Sequence, residues 1–322
     1  MSTKQNFPLQ KRVSSIIFSV ILLCIGYALG KSSASLIPFV HTNFFFNSNF
    51  HSTPAPPQTI NHCANEKLYD NLDDALIEVN NVCILDLSYQ HLKVLPPEIT
   101  KLSHLVELRL DNNELTELPP EISRLTDLQV LTVRNNQLAT LPPQIGELKN
   151  LQVLSLRNNK IEQLPSEIKN LNQLRILGLR DNQLTTVPRE IGDLTNLTDL
   201  YLGNNHLASL PTEISNLKQL STFTVADNQL NDLPDNFSKL TAMVVLDLRN
   251  NRFTIFPHEV TYMVNLKDLS ISNNPLTTYP SEIKNLQKLS TLYISNTNIP
   301  SDKINEIKQL LPNISISTEI LE

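Results

Sequence analysis

The sequence has no tryptophan, only three cysteines and six glycines in 322 residues, and charged side chains make up just 18% of it. Cys24, Cys63 and Cys83 are too few to form the disulfide framework that holds small secreted domains together. The glycines, Gly26, Gly30, Gly146, Gly178, Gly192 and Gly203, are too scattered to form a loop that cradles a phosphate. Neither a nucleophile-elbow nor a zinc-protease motif is present. His62, Cys63, Cys83 and His91 follow no zinc-ligand spacing, so neither a metal nor a cofactor is expected. The formal net charge of −6 argues against nucleic acid as the main partner, because neutralising phosphates requires a surface rich in lysine and arginine. The remaining source of cohesion is the 40% of apolar residues and the way they are spaced.

The first stretch stands apart. Lys4, Lys11 and Arg12 precede an uncharged run of 18 residues from Val13 to Gly30, and Lys31 follows. A positive region ahead of an apolar run is the layout of a secretory signal or signal anchor, assigned here to residues 1–31. Its length is at the lower limit for a helix crossing a bilayer. Cleavage after Ala28/Gly30 or Ser32/Ala34 remains open, and a buried helix is the alternative. The charge bias places the N-terminus in the cytoplasm and the rest of the chain on the other side, either membrane-anchored or secreted. Residues 32–62, with Phe44-Phe45-Phe46 and the prolines Pro54, Pro56 and Pro57, are expected to form a disordered linker.

From Val82 onward the chain repeats itself with a period of 23. Ten units start at residues 82, 105, 128, 151, 174, 197, 220, 243, 266 and 289, with no insertion or deletion between starts. Each approximates L-x-x-L-x-L-x-x-N-x-L-x-x-L-P-x-x-I-x-x-L-x-x. Apolar residues at positions 4 and 6 alternate with exposed ones at 3, 5 and 7, the period of a strand with one buried face. Position 9 is asparagine in eight units, from Asn113 to Asn274, with Gln90 and Thr297 in the first and last. A stacked asparagine can both donate to and accept from the backbone of the turn. Leucine-proline then ends sheet pairing on the return leg, where one or two helical turns carrying the isoleucine of position 18 inward are expected.

This pattern resembles the leucine-rich-repeat family, of the 23-residue type found in exported bacterial repeat proteins and in intracellular Ras-group scaffolds. The resemblance implies an α/β solenoid, a horseshoe with a parallel sheet on its concave face and short helical or extended turns on its convex face. It also implies protein–protein interaction without catalysis. One unit cannot bury its own leucines; ten stacked units form an inner sheet about 45 Å long. Residues 63–81 are expected to cap the N-terminal end with a helix, Asn71 at its start and Leu72, Ala75, Leu76 and Val79 inward. Residues 301–322 are expected to cap the other end, Ser301 opening a helix with Ile304, Ile307 and Leu311 inward, before a last strand with Ile314 and Ile316. Residues 82–300 lie between the caps, and no segment is left for a catalytic domain.

The candidate binding surface is the face of positions 3, 5 and 7. Arg134, Arg157 and Arg180 occupy position 7 of repeats three to five, beside Thr132, Ser155 and Gly178 at position 5 and Val130, Val153 and Ile176 at position 3. Tyr201 follows at position 5 of repeat six, Arg249 recurs further along, and Asp199 and Asp247 add opposite charge. Like charges one strand apart repel unless something anionic lies against them, and guanidinium forks recognise carboxylates. A monomeric, tethered or exported module that captures a protein or glycan on this face is therefore expected. Membrane contact is expected only through residues 13–30. A structural or adhesive spacer, or an intracellular scaffold if the N-terminal segment is no targeting signal, are the alternatives. Glutamates at position 17, from Glu98 to Glu282, read as a solubilising ridge, and Cys63 and Cys83 are a candidate disulfide sealing the cap.

Overall fold

The computed structural model describes residues 67–318. Within them, twelve parallel strands form one open sheet in chain order. Strands β2 to β11 come one per repeat, three residues each at positions 3–5, from Ile84–Asp86 to Thr291–Tyr293. Every residue pairs with its counterpart one repeat on, as Leu108 with Leu131 and Leu154 with Leu177. This register follows from the invariant period, since a slip of one residue would turn each leucine to the opposite face. Hydrogen bonding continues past the strands: Leu110 N–H donates to Thr132 (2.8 Å) and Asn112 N–H to Arg134 (2.8 Å).

Two strands lie outside the repeats. β12 (Ser315–Ser317) pairs with β11, as the Ile314/Ile316 alternation leads one to expect. β1 (Leu68–Tyr69) pairs with Ile84 and Leu85 and has no readable period, being only two residues long. Between them lies helix α1 (Leu72–Ile77), whose N-cap Asn71 accepts the N–H groups of Asp73 (2.7 Å) and Asp74 (3.4 Å) through Oδ1. Helix α2 (Ser301–Leu310) follows Pro300, which offers no capping side chain, and buries Ile307 with Leu311 just beyond it.

The core is the same seven positions repeated. In repeat four, Leu151, Leu154, Leu156, Ile161, Leu164, Ile168 and Leu171 are all buried. Repeat seven departs by placing Phe223 at position 4 and Phe237 at position 18, their ring centroids 5.9 Å apart. The return leg carries the short helical turn expected of it, a tightened 3₁₀ turn of five residues such as Pro120–Arg124 or Ser166–Asn170. The leucine of position 21 closes it with an N–H bond to the isoleucine three residues back, as Leu125 to Ile122 at 3.1 Å. Five residues separate the proline from that leucine, a short connector of the kind in which i→i−3 turns are common.

Neighbouring turns leave no room for a side chain at Gly146 and Gly192, where an added Cβ would clash with the carbonyl oxygens of Glu167 and Glu213. Glycine-to-alanine in a relaxed backbone stabilises by about 0.4–1 kcal/mol, whereas overpacking against a fixed carbonyl costs about 1–3 kcal/mol. The clash wins, and Gly192→Ala is expected to lower the thermal midpoint. A midpoint unchanged or raised would show that the leg shifts freely.

Candidate functional site

The surface is positioned by two ladders. At position 9, the asparagine Nδ2 donates to a carbonyl two or three residues back and to one in the preceding repeat, while Oδ1 accepts an N–H from that repeat. For Asn159 the partners are Leu156 O (3.0 Å), Val133 O (2.8 Å) and Leu138 N (3.0 Å). In the end repeats Gln90 reaches Asp70 O (2.7 Å) and Thr297 reaches Ile294 O (2.9 Å). A second ladder occupies position 8, where nine successive residues from Asn112 to Asn296 are Asn or Asp with φ between 51° and 58°. Asparagine and aspartate tolerate this left-handed conformation better than other side chains. They also link up: Asn135 donates to Asn112 (2.8 Å), Asn158 to Asn135 (2.8 Å) and Asn204 to Asp181 (2.9 Å). The recurring Asn/Asp before the position-9 asparagine was the sequence signal for it.

The fixed turn orders the side chains of the sheet face. Val130, Thr132, Val153 and Ser155 all lie on that face but are buried, at 8%, 4%, 4% and 7% exposure. Ile176, Tyr201 and the three arginines are half-buried. The arginines lie along the array instead of projecting from it. Arg134 Nε donates to Ser155 Oγ (2.7 Å) in the next repeat, and Arg157 Nε donates to Asp181 (2.8 Å). The stem of Arg180 lies over Gly203, with Cγ 3.7 Å from where a Cβ would sit, and its Nε is 3.5 Å from Asp181. Small residues at position 5, together with Gly203, make room for this. The anion that the ladder requires is thus partly internal. Burial works to raise the Asp181 carboxyl, but hydrogen bonds from Asn204 and Arg157 and the charges of Arg180 and Arg157 outweigh it and hold the carboxyl below its ordinary value. Arg134 has no carboxylate within ion-pair distance among the described residues. Its backbone N–H donates to Asp111 (2.6 Å), whose carboxyl is raised by burial against the pull of Arg134.

The ends of the face carry more acid. Arg109 pairs with Glu107 (2.7 Å) and Asp86 (3.5 Å). Tyr201 donates to Asp199 (3.5 Å), and burial with that neighbour pushes its phenol well above its ordinary value. Asp247 is 2% exposed, lies 3.3 Å from Arg249 Nε and accepts the Arg249 N–H at 3.1 Å. Burial raises its carboxyl from 3.8 to about 6 in spite of that arginine. A folded value above the unfolded one means that protonation favours the fold. The contribution of Asp247 to stability is full below about pH 4, declines as pH rises through the folded value near 6, and is constant above it. Asp247→Asn, whose amide oxygen still accepts the Arg249 N–H, is expected to remove this decline from the pH dependence of the thermal midpoint. Identical pH profiles would contradict the assignment.

Repeat eight also breaks the convex pattern. Ile255, Tyr262 and Val264 are exposed by 74%, 55% and 50%, at positions that are polar in repeats two to seven. The expected glutamate ridge fails here too: the Glu259 side chain is 3% exposed, with Oε1 3.1 Å from His258 Nδ1. Cys83 is buried and disulfide-bonded, and its partner lies outside the described residues. Cys63 and the segment 13–30, expected from the sequence to contact a membrane, lie outside them as well. Among the described residues, no helix is long and apolar enough to cross a membrane and no group of His, Cys, Asp and Glu is arranged to hold a metal.

Three sequence profiles match the chain: "Leucine-rich repeat region" over residues 130–205, 166–255 and 189–274, "Leucine rich repeat" over 80–138, and "Leucine Rich Repeat" over 265–286. Together they run without a gap from residue 80 to residue 286. No curated protein matches the sequence significantly. Among solved structures, a leucine-rich-repeat protein of Leptospira interrogans is 28% identical, with 79% of this chain and 100% of that one covered and a TM-score of 0.48. The plant peptide hormone receptor RGFR1 in complex with RGF2 is 28% identical, with 74% and 40% covered and a TM-score of 0.63. The leucine-rich-repeat ectodomain of the plant membrane receptor kinase GASSHO1/SCHENGEN3 from Arabidopsis thaliana, in complex with Casparian strip integrity factor 2, is 29% identical, with 74% and 35% covered and a TM-score of 0.52. This chain spans less than half the length of either plant protein. The stacked period, the asparagine ladder and the profile matches agree: the chain belongs to the leucine-rich-repeat family.

Proposed function

We propose that the repeats are a non-catalytic binding module, exported or membrane-tethered, that captures a protein ligand bearing acidic groups on the sheet face of repeats three to six. The observation that carries this reading is the row Arg134, Arg157 and Arg180, in which Asp181 balances the last two and Arg134 keeps no carboxylate partner among the described residues. Half-buried guanidiniums on the same face as the apolar row Val130, Val153 and Ile176 suit an acidic group flanked by apolar contact. Tyr201 supplies an aromatic anchor beside them. The two plant receptors of similar fold are in complex with RGF2 and Casparian strip integrity factor 2, which supports a proteinaceous ligand.

The test is capture from the surface fraction of the native host by the full chain and by Arg134→Glu/Arg157→Glu/Arg180→Glu. A partner held by the parent and lost by the folded triple variant supports the reading. Equal capture by both removes it. Export carries a separate expectation, that Cys63 is the partner of Cys83. Peptide mapping without reductant should find the two linked, and complete thiol labelling of the unreduced, denatured protein would contradict it.

A further inference from the structure

The charges left over on the sheet face lie on one line. Arg134, at position 7 of repeat three, has its guanidinium bound to Ser155 Oγ and no carboxylate within ion-pair distance among the described residues. Asp268, at position 3 of repeat nine, is the opposite case. Thr291 hydrogen-bonds its carboxylate, but Oδ1 is buried with no hydrogen-bond partner, and no cation is within ion-pair distance among the described residues. Burial raises its carboxyl above the ordinary value, against Thr291 and Lys267. The other acids of the face are engaged: Asp86 and Glu107 by Arg109, Asp199 by Thr198 and Tyr201, Asp247 by Arg249, and Asp111 by the Arg134 N–H.

Position 7 of repeat three and position 3 of repeat nine have their midpoint at position 5 of repeat six, which is Tyr201. The line between them runs nearest Arg157, Gly178, Thr224 and Val245, the last three with short side chains and Arg157 drawn along the array to Asp181. Six strand spacings of about 4.8 Å, with an offset of four residues along the strands, separate the two backbone positions by about 30 Å, the length of about nine extended residues.

We infer that the ligand of this face is an extended peptide lying diagonally across the sheet. It carries an acidic residue at Arg134 and a basic residue about nine positions away at Asp268. A basic residue arriving at Asp268 would supply the counter-charge that this half-buried carboxylate lacks among the described residues. Tyr201 packs against the middle of the peptide. This rests on the proposal that the sheet face is the binding surface, and adds the class of ligand and its charge pattern.

The probe is a phage-displayed library of random peptides long enough to span the face, panned against the full chain, Arg134→Gln and Asp268→Asn. The parent should enrich peptides with an acid and a base about nine residues apart. Asp268→Asn should keep the preference for the acid and lose that for the base; Arg134→Gln should do the reverse. Each variant should bind the parent's peptides about tenfold more weakly. Enriched sequences without this spacing, the same sequences from all three proteins, or no enrichment at all would overturn the inference. The surface-capture experiment with the triple arginine variant is read separately, so a partner lost there alongside a failed library leaves the binding face standing and removes only the peptide pattern.

Discussion

Replacing Asn159 by alanine is expected to destabilise the array by about 3 kcal/mol. The substitution leaves Val133 O and Leu138 N, both buried, without the side chain that satisfies them, while Leu156 O keeps Asn182 as a donor. Each buried backbone group left unpaired costs about 1–3 kcal/mol, far more than the roughly 1 kcal/mol net value of a hydrogen bond exchanged with water. Asn159→Asp separates shape from chemistry. It keeps the acceptor for Leu138 N but turns an oxygen toward two carbonyls, so it should destabilise most at neutral pH and recover as acid protonates it. Neighbouring Asn158, on the exposed ladder, makes a good control: Asn158→Gly keeps the left-handed backbone and should cost less than about 1 kcal/mol. Urea denaturation of the three variants measures this. A loss below about 1 kcal/mol for Asn159→Ala would mean that the turn carbonyls find water, and that the ladder does not hold the sheet face rigid.

Phe237→Ala should cost somewhat more, about 4 kcal/mol, because a fully buried ring packed against Phe223 is replaced by a cavity. In a solenoid each unit touches only its neighbours, so the effect should centre on repeats seven and eight and spare the arginines of repeats three to five. Phe237→Ile restores the residue that position 18 carries in repeats one to six and should recover more than half of the loss. Hydrogen exchange resolved by peptide checks the locality. Uniform deprotection from β1 to β12 would show the array unfolding as one cooperative unit.

Much of this architecture was legible because each position plays its part ten times over. The alternation at positions 4 and 6, the inward isoleucine at 18 and the asparagine at 9 each predict a contact that the structure contains, down to the substitution of Gln90 and Thr297 at the ends. Both caps were readable from apolar spacing and from Asn71. What periodicity does not specify is how a long side chain leans. It places Arg134, Arg157 and Arg180 on one face. It does not show that they lie along the axis, Arg134 reaching Ser155 and Arg180 lying over Gly203, that Val130, Thr132, Val153 and Ser155 are buried, or that Asp181 balances two of the three charges. The same limit hid the burial of Glu259, which sits in a row whose other glutamates are more open. β1 escaped because a two-residue strand has no period, and its existence depends on Ile84 and Leu85 offering an edge.

Two surfaces compete for the role of binding site: the sheet face around Tyr201, and the convex leg of repeat eight, where Tyr262 is exposed. Photocrosslinking from each position separates them, with benzoylphenylalanine in place of Tyr201 in one full-length protein and of Tyr262 in another, irradiated on the native host surface. An adduct formed from position 201 and absent from position 262 is the expected result. An adduct from position 262 alone would contradict the assignment of the sheet face as the site of capture.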